Sequence, residues 1–306
     1  MTKDKLLKNS IVVGVIASLC CALWGSAFPL IKIGYHSFGI ASGAANSQIL
    51  FAGIRFFLAG IITLIIGGLL SGKVLVPTLR SWPKIIHLSF YQTFLQYIFF
   101  YIGLSHTTGV KASLVEGLSV FIVLFIAVFL FHQEKLTRQK VFGCIIGFIG
   151  VIIINMNGNG FSFDVRLDGE GFIFLSNIAY ALSTVLLKQY SATENTTLLN
   201  GYQFIAGGLV MMAIGFFMGG EIKWDSFQSV GILFYLAFVT AVAYTLWGIL
   251  LKHNPVSKVT IFIFMTPVFG VLLSALLLKE SITGIRSILA LIFVSSGIFI
   301  VNYKKN

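Results

Sequence analysis

Leu130–Thr137 reads LFHQEKLT, and Leu276–Thr283 reads LLLKESIT. In both stretches an apolar run ends at a glutamate, a Glu-x-x-Thr turn follows, and a second apolar run begins. The two stand 146 residues apart. At that offset Val110–Asn155 aligns with Val256–Val301 without gaps, and Leu130, Ile152 and Ile154 fall on Leu276, Ile298 and Ile300. A weaker match at an offset of 156 puts Trp24-Gly25-Ser26 on Tyr180-Ala181-Leu182 and Lys32 on Lys188. The chain reads as two copies of one unit, residues 1–155 and 156–306.

The 306 residues are 57% hydrophobic, 14% aromatic and 10% charged, with a mean hydropathy of +0.96. Soluble domains carry about 25% charged residues, so too few polar groups are present here to cover a globule in water. Disordered chains are polar and poor in aromatics, which excludes that class as well. A membrane β-barrel needs alternating segments of about ten residues, whereas these apolar runs are continuous and close to the ~20 that a helix needs to cross a bilayer. Ten such runs lie near 11–33, 49–70, 84–104, 110–131, 139–155, 170–189, 199–219, 229–251, 257–278 and 285–303. The fold class is all-α: a polytopic membrane protein of ten transmembrane helices, five per repeat. Five is odd, so the second copy must enter the membrane from the side opposite the first. Inverted repeats of this kind favour alternating access around a midplane site.

Basic residues give the orientation. With the N-terminus in the cytoplasm, fourteen lysines and arginines fall inside (Lys3, Lys5, Lys8, Lys73, Arg80, Lys84, Lys135, Arg138, Lys140, Lys188, Lys252, Lys258, Lys304, Lys305), against six outside. This bias predicts both termini in the cytoplasm of a cell (plasma or inner) membrane. The net charge of +11 is spent on that asymmetry. No solvent-facing basic domain exists, which argues against nucleic acid. The first apolar run is longer than a signal peptide's and reads as a retained helix. Cys20, Cys21 and Cys144 all lie in apolar runs, have no metal-ligand spacing and imply no disulfide framework. Gly143, Gly147 and Gly150 allow close helix approach, first as packing and second as a homodimer contact.

Ionisable groups inside a bilayer are costly and tend to pair or to function. Arg55 and Glu116 each stand about six residues into their predicted spans, roughly 9 Å deep, and either form a charge pair, directly or through water, or snorkel separately into the headgroups. Glu116 is then the candidate for a coupling proton. Trp24, Gln92, Gln96, Tyr97, Tyr180, Thr184, Thr240, Tyr244 and Trp247 cluster at mid-span. Midplane polar groups need partners or a wet cavity, so these nine are the expected substrate-binding set, suited to a small amphiphilic solute. Gln92 and Gln96 are four apart and share a face of an ideal helix. Pro29 and Pro267 interrupt their helices and are candidate hinges. Lys32 and Lys188 end their helices and are expected to snorkel.

Leu23-Trp24-Gly25-Ser26-Ala27-Phe28 resembles the opening motif of the EamA-type transporters of the drug/metabolite transporter superfamily. Ile54-Arg55-Phe56-Phe57-Leu58-Ala59 resembles their second-helix motif, and Glu134–Asn155 and Pro267–Asn302 resemble the ends of their two repeats. The similarity spans nearly the whole chain. It implies ten helices in two inverted repeats, and movement of amino acids, other small metabolites, nucleotide sugars or drugs, often outward. One departure is Phe121, which stands where that family commonly has a proline matching Pro267.

The leading expectation is a secondary transporter, an exporter of small organic metabolites, without cofactor or metal. The rivals are a membrane sensor or assembly protein, and an intramembrane enzyme. The enzyme needs a nucleophile, an acid pair or a metal. The sequence has neither HExxH nor GxSxG with Asp and His partners, nor the GxxxxGK[ST] of a nucleotide-hydrolysing loop.

Overall fold

The computed structural model describes residues 3–41, 43–107, 109–155, 166–224, 227–278 and 284–303. Among these residues every regular element is helical. After a short helix, Lys3–Lys8, the helical elements of the described residues run on into ten rods. They are α1 (Ser10–Ser37), α2 (Ala45–Ser71), α3 (82–106), α4 (109–130), α5 (Arg138–Asn155), α6 (Leu167–Tyr190), α7 (Thr196–Phe217), α8 (Phe227–His253), α9 (256–278) and α10 (Gly284–Asn302). Six contain stretches long and apolar enough to cross a membrane: α1, α2, α6, α7, α8 and Val256–Leu273 of α9. Val115–Leu130 and Ser287–Asn302 are shorter apolar helices. Large apolar side chains such as Leu70, Phe217 and Phe227 point outward. A surface of this kind is stable in lipid rather than in water. The chain is a polytopic helical membrane protein.

Local chemistry moves several helix ends from their expected places. The connector expected over 34–48 shrinks because α1 continues to Ser37 and α2 begins at Ala45. Gly39 takes a φ of +67°, and the Phe38 and Ile40 amides bond back to the Gly34 and Tyr35 carbonyls. A left-handed glycine is a common way to end a helix. Asn195 starts α7 earlier than expected, its side-chain oxygen accepting from the Thr197 and Leu198 amides at 2.8 and 3.2 Å. The Glu134–Thr137 turn is described. Its counterpart Glu280–Thr283 and the loop 156–165 lie outside the described residues.

Packing brings the two halves of the sequence together. α2 lies along α7, and α5 along α10. α1 packs on α8 and α9, and α6 packs on α3 and α4. Gly143, Gly147 and Gly150 are taken up inside the chain. A Cβ at Gly143 would meet the Gly297 carbonyl at 2.8 Å, and one at Gly150 the Ala290 carbonyl at 2.8 Å, both on α10.

Three rods are interrupted away from their ends. α3 contains a π-helical stretch, Ser89–Leu95. α4 breaks at Leu118, between Gly109–Gly117 and Ser119–Phe125. α9 contains a 3₁₀ stretch, Ile261–Phe264, just before Pro267. Such interruptions inside long helices recur at functional sites.

Contacts define one end of the bundle as the end carrying both termini. Asn254 donates to the Leu7 carbonyl at 2.8 Å, and Val301 lies against Gly143. On this face Glu134 binds the start of α9, accepting from the Ser257 amide at 2.9 Å and from the Ser257 hydroxyl. Lys140 pairs with the same carboxylate. Gln133 donates to the Val185 carbonyl at 3.1 Å, and Lys188 to the Leu251 carbonyl at 3.0 Å and to the Asn254 carbonyl. Lys188 thus closes on the C-terminal carbonyls of α8. Burial alone would raise the Glu134 carboxyl, but the hydrogen bonds from Lys140 and Ser257 outweigh it and hold that group below its ordinary value. Its stabilising contribution is therefore fully present above the unfolded value, about 4.3, and is lost as pH falls through the lower folded value. Glu134→Gln should cost about 1.5–3 kcal/mol at neutral pH. Thermal unfolding in detergent is the check: the fall in melting temperature on acidification should be smaller in the variant than in the wild type.

Candidate functional site

A cavity of about 360 Å³ lies between the halves, lined by residues of α1–α6, α8 and α9. Lys32, Tyr35 and Leu104 carry it toward the face opposite the termini. Toward the terminal face it is closed by a packed apolar core that includes Val13, Ala17, Ile85, Leu88, Leu250 and Val259. The cavity is therefore closed at one end and reaches toward the other.

The floor is aromatic. Trp24 packs edge-on against Tyr244 and Trp247, with ring centroids 5.1 and 5.0 Å apart. The Tyr97 and Tyr244 hydroxyls share a hydrogen bond of 3.0 Å. Gly25 sets this floor. A Cβ there would stand 2.6 Å from the Phe269 Cβ and 2.9 Å from the Gly270 amide. Only glycine allows α1 and α9 to approach this closely, which brings Trp24 and Pro267 onto one wall.

Arg55 enters from α2. It is 4% exposed, and its guanidinium carbon lies 4.7 Å from the Phe56 ring centre and 5.7 Å from that of Tyr97. Its Nε has no hydrogen-bond partner within the protein. Glu116 enters from α4, one residue before the end of Gly109–Gly117, and is half-buried on the cavity wall. Asn177 of α6 fixes the helix break, donating at 2.6 Å to the Val115 carbonyl beside Glu116.

Arg55 and Glu116 both line the cavity, yet among the described residues they make no direct contact as an ion pair. Arg55 faces aromatic rings instead.

Of the nine residues expected to bind substrate, Trp24, Gln96, Tyr97, Tyr180, Thr240 and Tyr244 line the cavity. Gln92, Thr184 and Trp247 do not. Gln92 accepts from Gln203 at 3.0 Å, and Gln203 accepts from Thr93 at 3.0 Å, forming a buried amide cluster between α3 and α7. Thr184 is buried, and Trp247 sits behind Trp24. Pro267 lines the wall and Pro29 is buried within α1. Lys32 lies on the cavity, while Lys188 is engaged at the terminal face. Sequence reasoning missed Tyr35, Tyr101, Ser176, Asn177 and Thr266, all on the lining. Three lining side chains hold a polar atom with no partner among the described residues: the indole nitrogen of Trp24, Nε of Arg55 and Oε1 of Gln96. Buried polar groups of this kind cost free energy unless something bonds to them. A concave, aromatic wall with convergent polar atoms is the usual form of a small-molecule site.

Bundle and cavity together define a membrane protein built to enclose a small solute. Comparison with known proteins gives its class. The model of the EamA-like transporter family matches twice, over residues 11–156 and 167–303. The chain belongs to the EamA-like transporter family; it is a transporter and not an enzyme. It is 28% identical to the uncharacterized transporter YvbV of Bacillus subtilis, over 92% of this chain and 88% of that protein. It is 26% identical to an uncharacterized transporter of Archaeoglobus fulgidus, over 95% and 99%. A probable amino-acid metabolite efflux pump of Escherichia coli is 25% identical, over 94% and 93%. A solved crystal structure superposes with a TM-score of 0.77 at 18% identity, covering 96% of each chain, and so shares the fold.

Proposed function

We propose that this protein is a secondary transporter that exports small organic metabolites, amino acids or drugs among them, across the cell membrane by alternating access. The observation that carries this reading is the cavity of about 360 Å³ between the halves, closed at one end and edged with unsatisfied polar atoms. On this reading the ten rods cross the membrane as two inverted five-helix repeats, 1–155 and 156–306, with both termini in the cytoplasm. The packing scheme supports a twofold repeat. Exchanging each rod with the one five places along turns the α1 contacts with α8 and α9 into the α6 contacts with α3 and α4, and leaves α2–α7 and α5–α10 unchanged. Two such halves have two unequal arrangements, and trading them moves the opening to the other side. Pro29 and Pro267 would act as hinges, and Glu116 would carry the coupling proton.

Flux into proteoliposomes made from the purified chain alone tests this. A panel of labelled amino acids should include solutes that cross only when the protein is present, and faster under an imposed pH gradient. A sensor or assembly protein would leave the vesicles as tight as protein-free ones. Uptake by Glu116→Gln that still responded to the pH gradient would remove the proton role and leave the transporter reading standing.

A further inference from the structure

Arg55 is a buried charge that no carboxylate answers among the described residues. It is 4% exposed, lines the cavity, takes part in no ion pair among those residues, and its Nε finds no acceptor there. Its neighbours are the rings of Phe56 and Tyr97. Such faces stabilise a guanidinium by about 0.5–2 kcal/mol, against several kcal/mol for removing the ion from water. A guanidinium cannot escape this cost by losing its proton. It needs an anion, and the one carboxyl on the described cavity lining is that of Glu116. Among the described residues no ion pair joins Glu116 to Arg55.

We infer that Arg55 is the specificity-determining residue of the cavity: it receives the carboxylate of the solute, so carboxylate-bearing solutes enter and lipophilic cations are refused. The geometry fits this role. A guanidinium presents a planar fork of donors that matches a carboxylate in two parallel hydrogen bonds. The floor of Trp24, Tyr97 and Tyr244 lies beside that fork. It offers aromatic faces to the apolar body of the solute, which makes up most of a small amphiphile's area. The inference rests on the cavity being the solute site and deepens that reading by assigning the charge of what it takes.

The test compares three probes with one phenyl body: phenylalanine, 3-phenylpropanoate and 2-phenylethylamine. Binding is read on the full chain in detergent by thermal shift and calorimetry, with no flux required. The wild type should bind the two carboxylates and not the amine. Arg55→Gln should weaken carboxylate binding by about 100-fold, as expected when one member of a buried charged pair is removed. Arg55→Lys, which keeps the charge but loses the fork, should retain part of the preference and decides the matter if the glutamine variant elutes as aggregate. Amine binding as tight as carboxylate binding in the wild type, no carboxylate bound at all, or an unchanged preference in both variants would overturn the assignment. Failure of the transport reading looks different: binding would keep its charge preference while the vesicles carried no flux.

Discussion

Gly208→Leu is expected to leave no folded protein. α2 and α7 meet along glycines spaced seven residues apart on each helix, Gly53, Gly60 and Gly67 on one and Gly201, Gly208 and Gly215 on the other. A Cβ at Gly208 would stand 2.5 Å from the Phe57 amide and 2.8 Å from the Gly53 carbonyl. A Cβ at Gly53 would stand 2.5 Å from the Met212 amide, and one at Gly60 would stand 2.6 Å from the Gly201 carbonyl. These neighbours are backbone and cannot rotate aside. Close packing of small residues, rather than a hydrophobic drive, holds helices together in lipid. Overpacking a core typically costs about 1–3 kcal/mol where side chains can shift. Here whole helices would have to part, along an interface that joins the two halves, and the cost should exceed that range. Size-exclusion profiles in detergent after graded heating measure it. Gly208→Leu should elute as aggregate at all temperatures and Gly208→Ala should melt early. Gly231→Leu, at an exposed glycine with nothing within 4 Å, should match the wild type. A monodisperse Gly208→Leu would mean that α2 and α7 do not pack as described.

Glycine spacing of this sort can be read in a sequence, and so can the membrane class, because burial in lipid imposes one rule on every span. The cavity was legible in part for the same reason. Trp24, Tyr97, Tyr180 and Tyr244 are large polar-tipped rings at mid-span, where few other uses are tolerated. The amides defeated the reading. Gln92 and Gln96 share a face only if α3 is an ideal helix, and Gln92 lies within the π-helical stretch Ser89–Leu95, which ends just before Gln96. The wider turn rotates Gln92 toward Gln203 and leaves Gln96 on the cavity. Nothing local in SFYQTFL marks that turn. Asn177 was invisible for a different reason. Its role is to hold the Val115 carbonyl at a break in α4, and that break has no proline to announce it. Arg55 and Glu116 stood out as intramembrane charges and both line the cavity, but whether they touch depends on tertiary packing that no local pattern encodes.

Bridging Glu134→Cys to Ser257→Cys with a short bis-thiosulfonate is expected to stop transport, and a reducing agent should restore it. Glu134 belongs to the first half and Ser257 to the second, and in this arrangement the carboxylate holds the start of α9 through the Ser257 amide and hydroxyl. Alternating access requires the terminal face to open, which separates these residues. A covalent bridge forbids that step, so flux should fall to that of protein-free vesicles. The native cysteines, Cys20, Cys21 and Cys144, are buried, which leaves the engineered pair as the accessible thiols. Each single variant treated with the same reagent should keep its flux, because a lone adduct does not tie the halves together. The non-covalent counterpart has a smaller and opposite effect. Removing the Glu134 charge weakens the closed terminal face by about 2 kcal/mol, which moves a two-state balance roughly 30-fold toward the arrangement open at that face. Glu134→Gln should therefore leave its own terminal-face probes more accessible to thiol reagents while the cross-linked pair leaves them less so. A bridged protein that transports at an undiminished rate would show that the halves do not part here, and with it the proposed exchange between two openings would fall.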